Sequence, residues 1–271
     1  MSRIAILMTC FNRAETTLRC LESVASQKIP GDFETQIFLV DDGSPDLTGE
    51  KVKEKYPNSQ VILGNGNLYW SKGMALAWKT AVAAGGFDFY LWLNDDVILE
   101  ASAISGVLND LSAVDGSSVI VGACRDVSGR VSYGCHERKT GCIEPVGYPL
   151  EHHGDFSGNF VLIPQTVFEK VGGMAECYWH AFGDFDYASR LRKHGVRYYL
   201  ASREVGTCTK DGADYGVNSP SLKRRLKDLF LPKGRNLHDV FLYRYRNYGL
   251  FRALMSCAHV IWIVIKGRKN A

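Results

Sequence analysis

Two short acidic turns in the first hundred residues each follow an apolar run directly. Leu91-Trp92-Leu93 leads into Asn94-Asp95-Asp96, and Phe38-Leu39-Val40 leads into Asp41-Asp42-Gly43-Ser44. Two carboxylates and an amide oxygen are hard ligands suited to Mg2+ or Mn2+. With so few protein ligands, coordination positions stay open for water and a diphosphate. The same turn reads equally as an exposed connection to a helix near Ala101. Asp41, at its strand end, can accept hydrogen bonds from a nucleobase imide or a ribose. Gly43 permits a left-handed turn and Ser44 can cap the next segment, so this stretch also reads as an ordinary turn.

A second group of candidates surrounds these turns. In Gly64-Asn65-Gly66-Asn67-Leu68-Tyr69-Trp70-Ser71-Lys72-Gly73, glycines allow close backbone approach and Trp70 offers a stacking face. Lys72 can meet phosphate near a helix N-terminus. The segment is not GxGxxG, which disfavours a dinucleotide fold; core packing of Tyr69 and Trp70 is the competing reading. His152 and His153 precede Asp155 and read either as ligands or as ordinary loop residues. Trp179 suits the C–H face of a sugar or the core. Of the eight cysteines none forms a CxxC pair, so they read as free thiols. Cys135 and Cys142 alone are close enough to suggest a bridge or a metal.

The elements that position these residues follow from hydrophobic periodicity. Ile4–Met8, Ile37–Val40, Val61–Leu63 and Phe89–Leu93 read as buried strands, with helices predicted from about Ala14 to Ser26 and from about Gly73 to Ala84. Repeated strand–turn–helix units imply a mostly parallel central sheet flanked by helices, hence an α/β fold. Ligands of such sheets bind beyond the strands' carboxyl ends, where the polar turns lie. Residues 115–180 are less regular, with strands at Ser118–Val121 and Phe160–Ile163 separated by loops and short hairpins. A helix is predicted from about Phe185 to His194, ending at Gly195, and a strand over Arg197–Ala201. After Ser219-Pro220 the pattern is helical.

The 271 residues carry a formal charge of +3, which is unevenly spread. Residues 1–220 hold 20 Lys/Arg and 27 Asp/Glu; residues 221–271 hold 12 and 2. We therefore divide the chain into a domain over 1–215 and a basic, amphipathic helical extension over 216–271. Leu222, Leu226 and Leu229/Phe230 recur at helical spacing against a basic face. Ala253–Ile265 is apolar but too short for a span of about 20 residues. An interfacial helix on an anionic membrane surface is expected, with a solvated cap or a homodimer contact as the alternative. No nucleic-acid motif occurs, and nucleic acid is not expected as a partner. No opening stretch has the makeup of a secretory signal. The expected location is cytoplasmic, peripheral at the inner face of the cell membrane.

These segments together resemble the family-2 glycosyltransferases of the GT-A fold, the nucleotide-diphospho-sugar transferase fold. Ile6-Leu7-Met8-Thr9-Cys10-Phe11-Asn12-Arg13 resembles the family's first strand and "TYNR" ending, and Phe38–Ser44 its "VDDGS" motif. Leu93–Val97 resembles its DxD-type metal turn. Gly158-Asn159-Phe160 through Val171-Gly172-Gly173-Met174 resembles its acceptor-side strand and "GGFDE" ending. Phe182–Tyr187, with Arg190 and Gly195, resembles its "ED-x-D…R…G" helix. Weak singly, the five run in family order over residues 1–210.

The resemblance implies roles. Thr9 and Asp41 would contact the base, and Asn12, Arg13, Gly66, Asn67, Lys72 and Asp95 would complete the nucleotide site. Asp96 would ligate Mg2+ or Mn2+. Asp184 corresponds to the catalytic base, although it also reads as a helix N-cap, where a carboxylate stays ionised. Trp70, Gly158, Asn159, Trp179 and Asp186 would meet the donor sugar or the acceptor; Asp186 reads equally as a first-turn helix residue. Three positions depart from the pattern: Asn94 for the first Asp of DxD, Gly183 for the glutamate before the base, and Cys208-Thr209-Lys210-Asp211 where a histidine is usual. The implied activity is inverting transfer of a sugar from a UDP- or dTDP-sugar to a glycan or lipid-linked acceptor in surface-polysaccharide biosynthesis, the nearest resemblance being to bacterial rhamnosyl- and hexosyltransferases. A catalytically silent glycan-binding or scaffolding subunit is one alternative. A sugar-phosphate nucleotidyltransferase is another, disfavoured because Thr9-Cys10-Phe11-Asn12 lacks a glycine-rich triphosphate loop.

Overall fold

Ile4, Ile6 and Met8 face one side of β1 (Ser2–Cys10) and Ala5 and Leu7 the other, and all five are fully buried. A strand covered on both faces has no polar side, which is why its sequence is a continuous apolar run. The computed structural model describes residues 1–137, 141–209, 219, 221–234 and 236–267. After β1 come α1 (Ala14–Ala25), β2 (Phe33–Asp41), α2 (Thr48–Lys55), β3 (Gln60–Leu63), α3 (Tyr69–Ala84) and β4 (Phe89–Leu93). Next are β5 (Ile98–Leu99), α4 (Ala103–Val114), β6 (Val119–Arg125), β7 (Val131–Tyr133), β8 (Cys135–Glu137), β9 (Gly141–Cys142), β10 (Leu150–His152) and β11 (Asp155–Phe156). The chain continues through β12 (Phe160–Pro164), α5 (Gln165–Val171), α6 (Gly183–Lys193) and β13 (Tyr198–Thr207), then α7 (Leu222–Asp228), α8 (Leu237–Tyr248) and α9 (Leu250–Lys266).

The main sheet runs β10-β13-β6-β12-β4-β1-β2-β3, with β5 on β13 and β7 on β6. β3, β2, β1 and β4 are parallel, β12 is antiparallel to both its neighbours, and β13 runs parallel to β6. β11, β8 and β9 form a separate small sheet. Helices α1, α2 and α4 cover one face; α3, α5 and α6 cover the other. On that second face Trp78 packs within 5.4–5.6 Å of Tyr90, Trp92, Phe168 and Tyr187, centroid to centroid. This is the expected α/β architecture, with parallel strands β1–β4 continued by a mixed half of the sheet, between helices, and with helices at the C-terminal end.

Several elements differ from the sequence reading: α6 starts at Gly183 rather than Phe185, β13 runs on to Thr207, and α5 was not anticipated. Helix α3 starts at Tyr69 rather than Gly73, because Asp42 accepts the N–H groups of Leu68 (2.8 Å) and Tyr69 (3.0 Å) and so caps its first turn. Helix α2 was not anticipated: its sequence TGEKVKEK offers one large apolar residue, Val52, to the core.

The basic extension is joined to the main body through a buried carboxylate. Asp239 of α8 is fully buried and accepts three consecutive backbone N–H groups, from Trp179 (3.0 Å), His180 (3.1 Å) and Ala181 (3.2 Å). Trp179 stacks on His238 at 4.3 Å, and Phe182 stacks on Tyr243 at 4.9 Å. The loop leading into α6 is thus seated on α8. Asp239→Ala orphans three buried donors, and we expect a loss of about 2–5 kcal/mol. Denaturant titration measures the loss, and hydrogen exchange should show amides 179–181 deprotected. Asp239→Asn, which keeps one acceptor oxygen, should lose less.

Candidate active site

A cleft of about 1060 Å3 opens where β1, β2 and β4 end, at the carboxyl edge of the parallel strands. Thr9, Arg13, Gly66, Trp70, Asp95, Asp96, Gly158, Asn159 and Asp184 all line it, so nine of the expected site residues converge. They come from sequence positions up to 175 apart, and the sheet order brings them together: β4, carrying the 94–96 turn, lies between β1 and β12.

The acidic turn is held by one cation. Arg13 Nη1 lies 3.1 Å from Asp95 Oδ1 and 3.0 Å from Asp96 Oδ2. Asp95 is buried and also accepts from Thr17 Oγ1 at 3.3 Å. Burial pushes its carboxyl up to about 6, against the pull of Arg13. Asp96 keeps an open side to the cleft, and the Cys208 thiol donates to its Oδ1 at 3.3 Å. Of the stretch 208–211 that stands where the resemblance has a histidine, Cys208 thus contacts Asp96, while Lys210 and Asp211 lie outside the described residues. Asn94 turns its Oδ1 to the Trp70 indole N–H, 2.7 Å away, so this amide orients an aromatic ring.

Asp96 offers a hard carboxylate to the cleft, and a divalent cation anchored there would draw its other ligands from diphosphate and water. Among the described residues no three His, Cys, Asp or Glu side chains could hold an ion unaided. The donor set fits a cation that arrives with its nucleotide.

Asp184, in the same lining, is the second residue of α6 and not its N-cap, which is Phe182. Its Oδ2 accepts the Gly158 N–H at 3.0 Å and its Oδ1 its neighbour's N–H, from Phe185, at 2.9 Å. Burial nevertheless pushes the carboxyl up to about 6. Desolvation outweighs the two N–H groups, leaving a carboxylate more basic than one in water. Gly183 precedes it because a Cβ there would lie 2.7 Å from Ser71 Oγ, which leaves no room for the family glutamate.

Other expected residues lie elsewhere. Asp41 does not line the cleft; its carboxylate accepts the N–H groups of Ser44 (2.9 Å) and Gly49 (2.8 Å), securing the turn and α2. Its neighbour Asp42 lines the cleft instead and accepts Gly66 N–H at 2.8 Å. Asn12 and Asn67 are exposed on flanking turns outside the lining, where Asn12 N–H donates to Ser44 Oγ at 2.9 Å. Lys72 is directed over the Trp179 ring at 6.0 Å, and Trp179 packs on His238; neither lines the cleft. Asp186 is buried, bound by Tyr178 Oη (2.9 Å), Arg190 (3.0 Å) and Asn247 (3.2 Å), so it is unavailable to an acceptor hydroxyl. His152 and His153 line a second cavity of about 750 Å3 that shares His136 and Phe185 with the cleft. Cys135 and Cys142 are free thiols.

Several cleft residues escaped the sequence reading: Asp42, His136, Ser157, His180, Asp228 and Lys233. For Lys233 a faint signal existed, since Pro232-Lys233-Gly234 is a turn sequence.

Residues 5–173 match the family model described as glycosyl transferase family 2. The chain belongs to glycosyl transferase family 2. It is 25% identical over 188 residues to a poly-beta-1,6-N-acetyl-D-glucosamine synthase of Staphylococcus epidermidis, a match covering 65% of this chain and 42% of that protein. The chain thus spans less than half the length of that relative. It is 24% identical over 215 residues to an N-acetylglucosaminyl-diphospho-decaprenol L-rhamnosyltransferase of Mycobacterium tuberculosis, covering 67% of this chain and 69% of that one. In structure it is similar to S. aureus TarS 1-349 in complex with UDP-GlcNAc, with TM-score 0.60 at 15% identity over 97% of this chain and 82% of that one. It is also similar to a mannosyltransferase from Pyrobaculum calidifontis in complex with GDP-Man and Mn2+, with TM-score 0.55 at 16% identity over 99% and 76%. At such identities the structural likenesses establish the GT-A fold of this glycosyltransferase.

Trp70 and Asp184 meet at Gly158, where a Cβ would lie 2.5 Å from the Trp70 ring and 3.4 Å from the Asp184 Cβ. Gly158→Ala is expected to displace the indole and destabilise the protein by about 1–3 kcal/mol. In the Gly158→Ala/Trp70→Leu double variant much of that cost should vanish, giving a non-additive cycle by denaturant titration.

Proposed function

We propose that this glycosyltransferase moves one sugar from a nucleotide-diphosphate donor, a UDP- or dTDP-sugar, to a hydroxyl of a glycan or lipid-linked acceptor, with inversion at the anomeric carbon. The observation that carries this reading is the desolvated Asp184 carboxylate lining the same cleft as Asp95 and Asp96. The nucleotide lies along Thr9, Asp42 and Gly66, and the sugar reaches toward Trp70, Gly158 and Asn159. Asp184 takes the acceptor's hydroxyl proton as that oxygen bonds to the anomeric carbon. The bond from that carbon to the diphosphate oxygen breaks, and its electron pair leaves with the nucleoside diphosphate. Mg2+ or Mn2+ at Asp96 would neutralise charge on the diphosphate. The names of the two sequence relatives support assembly of a surface polysaccharide as the setting.

The acceptor reading implies an anionic membrane surface as partner, at the inner face of the cell membrane. Phe251, Leu254, Met255, Trp262 and Ile265 form an exposed stripe along α9, edged by Arg252 and Lys266. Among the described residues no helix is long and apolar enough to cross a membrane, which suits a helix lying in the interface.

Thermal shift against UDP-, dTDP- and GDP-sugars, with and without Mn2+, should single out one nucleotide by a raised melting temperature. With that donor, Asp184→Asn is expected to lower turnover by about 10²–10⁴-fold while nucleotide affinity stays; full activity would refute the assignment. Because the base works deprotonated, wild-type turnover should fall about tenfold per unit as pH drops below about 6. Vesicles rich in phosphatidylglycerol should co-sediment the protein better than phosphatidylcholine vesicles, and Trp262→Asp should reduce the difference.

A further inference from the structure

The cleft is also lined by Asp228, the last residue of α7, and by Leu231, Lys233 and Gly234 of the connection from α7 to α8. This connection is fixed in several ways. Gly234 N–H donates to Leu231 C=O at 2.8 Å, Asn236 Nδ2 to Pro232 C=O at 3.0 Å, and Leu237 N–H to Leu229 C=O at 2.9 Å. Leu229 and Asn236 are buried on either side, and Gly234 packs so closely on the Asp228 carbonyl that a Cβ would collide. Lys233 thus rides on a braced turn at the cleft, with its ammonium near enough to His180 to help depress that imidazole, whose ordinary value burial chiefly lowers to about 4.

The charges in the cleft leave this lysine with no partner among the described residues. The described cations of the lining are Arg13 and Lys233. Arg13 is engaged by Asp95 and Asp96, whereas Lys233 forms no ion pair among the described residues. Two buried polar atoms of cleft residues, His180 Nδ1 and Asp228 Oδ2, have no hydrogen-bond partner among the described residues. Buried polar atoms without a partner are uncommon, and these two belong to residues that line the same cleft as Lys233. Lys72, the cation expected on sequence grounds to meet phosphate, lies outside the lining.

We propose that Lys233 is the diphosphate-binding cation of the donor site, so that the basic extension supplies one wall of that site. This rests on the donor reading above and adds the residue that recognises the β-phosphate. A monophosphate lacks that group, so Lys233 should discriminate between the two nucleotides. The Asp228 carboxylate in the same lining would repel phosphate, and its orphan oxygen suits a donor-sugar hydroxyl instead.

The test is calorimetric titration of the full chain with UDP, dTDP and GDP and with the matching monophosphates, at fixed low salt. For the nucleotide that binds, Lys233→Ala should weaken the diphosphate about tenfold or more and leave the monophosphate nearly unchanged, since it removes a charge-assisted hydrogen bond. Lys233→Arg should restore most of the preference, and an unchanged melting temperature for both variants shows that the fold survives. Equal diphosphate affinity in wild type and Lys233→Ala would overturn the proposal while leaving the donor reading intact. Equal weakening of mono- and diphosphate would overturn it too, as a general effect on the cleft. Failure of the wild type to bind any of the three diphosphates would instead remove the donor reading on which the proposal rests.

Discussion

One buried carboxylate fastens the C-terminal helices to the loop that lines this cleft. Asp239 has no contact with solvent, and such a charge is tolerated only where donors converge on it. Three successive N–H groups of the loop 179–181 do so, and the Asn236 side chain adds a fourth donor at 3.3 Å. That loop runs straight into α6, where Asp184 sits. The position of the segment that carries Asp184 therefore depends on α8, although α8 belongs to the basic stretch that composition sets apart from the rest.

The cleft concentrates carboxylates, and burial separates their behaviour. Asp95 and Asp184 are both raised to about 6 by desolvation, against different compensations: a guanidinium for Asp95, two backbone N–H groups for Asp184. Asp41 and Asp42 are spent on backbone donors and shape the β2 turn and the start of α3. Asp96 is left as the carboxylate of the acidic turn that opens to the cleft. Similar acidic residues thus differ in charge behaviour and exposure according to what surrounds them.

The C-terminal helices combine two surfaces. Their inner side closes the cleft through Asp228 and Lys233 and seats the loop through Asp239, His238 and Tyr243. Their outer side shows the apolar stripe of α9 between basic residues. A glycosyltransferase of this build would carry the donor wall and the proposed membrane face on one short helical unit, so contact with the acceptor's surface and completion of the donor site would share the same residues.

The sequence alone was enough for the parallel strands, the alternation with helices and the acidic turns beyond β2 and β4. Continuous apolar runs ended by polar turns have few other physical solutions, and the family motifs over residues 1–210 agreed with them. It could not tell Asp41 from Asp42, because which carboxylate turns inward depends on the N–H groups of Gly49 and Gly66, eight and twenty-four residues away. It likewise could not show that Asp186 and Trp179 are committed to packing, or that Lys233 rather than Lys72 faces the cleft. Those choices arise from contacts between segments remote in the chain. Local patterns report which face of an element is apolar, while the partner that neutralises a given charge is set only when the layers are packed together.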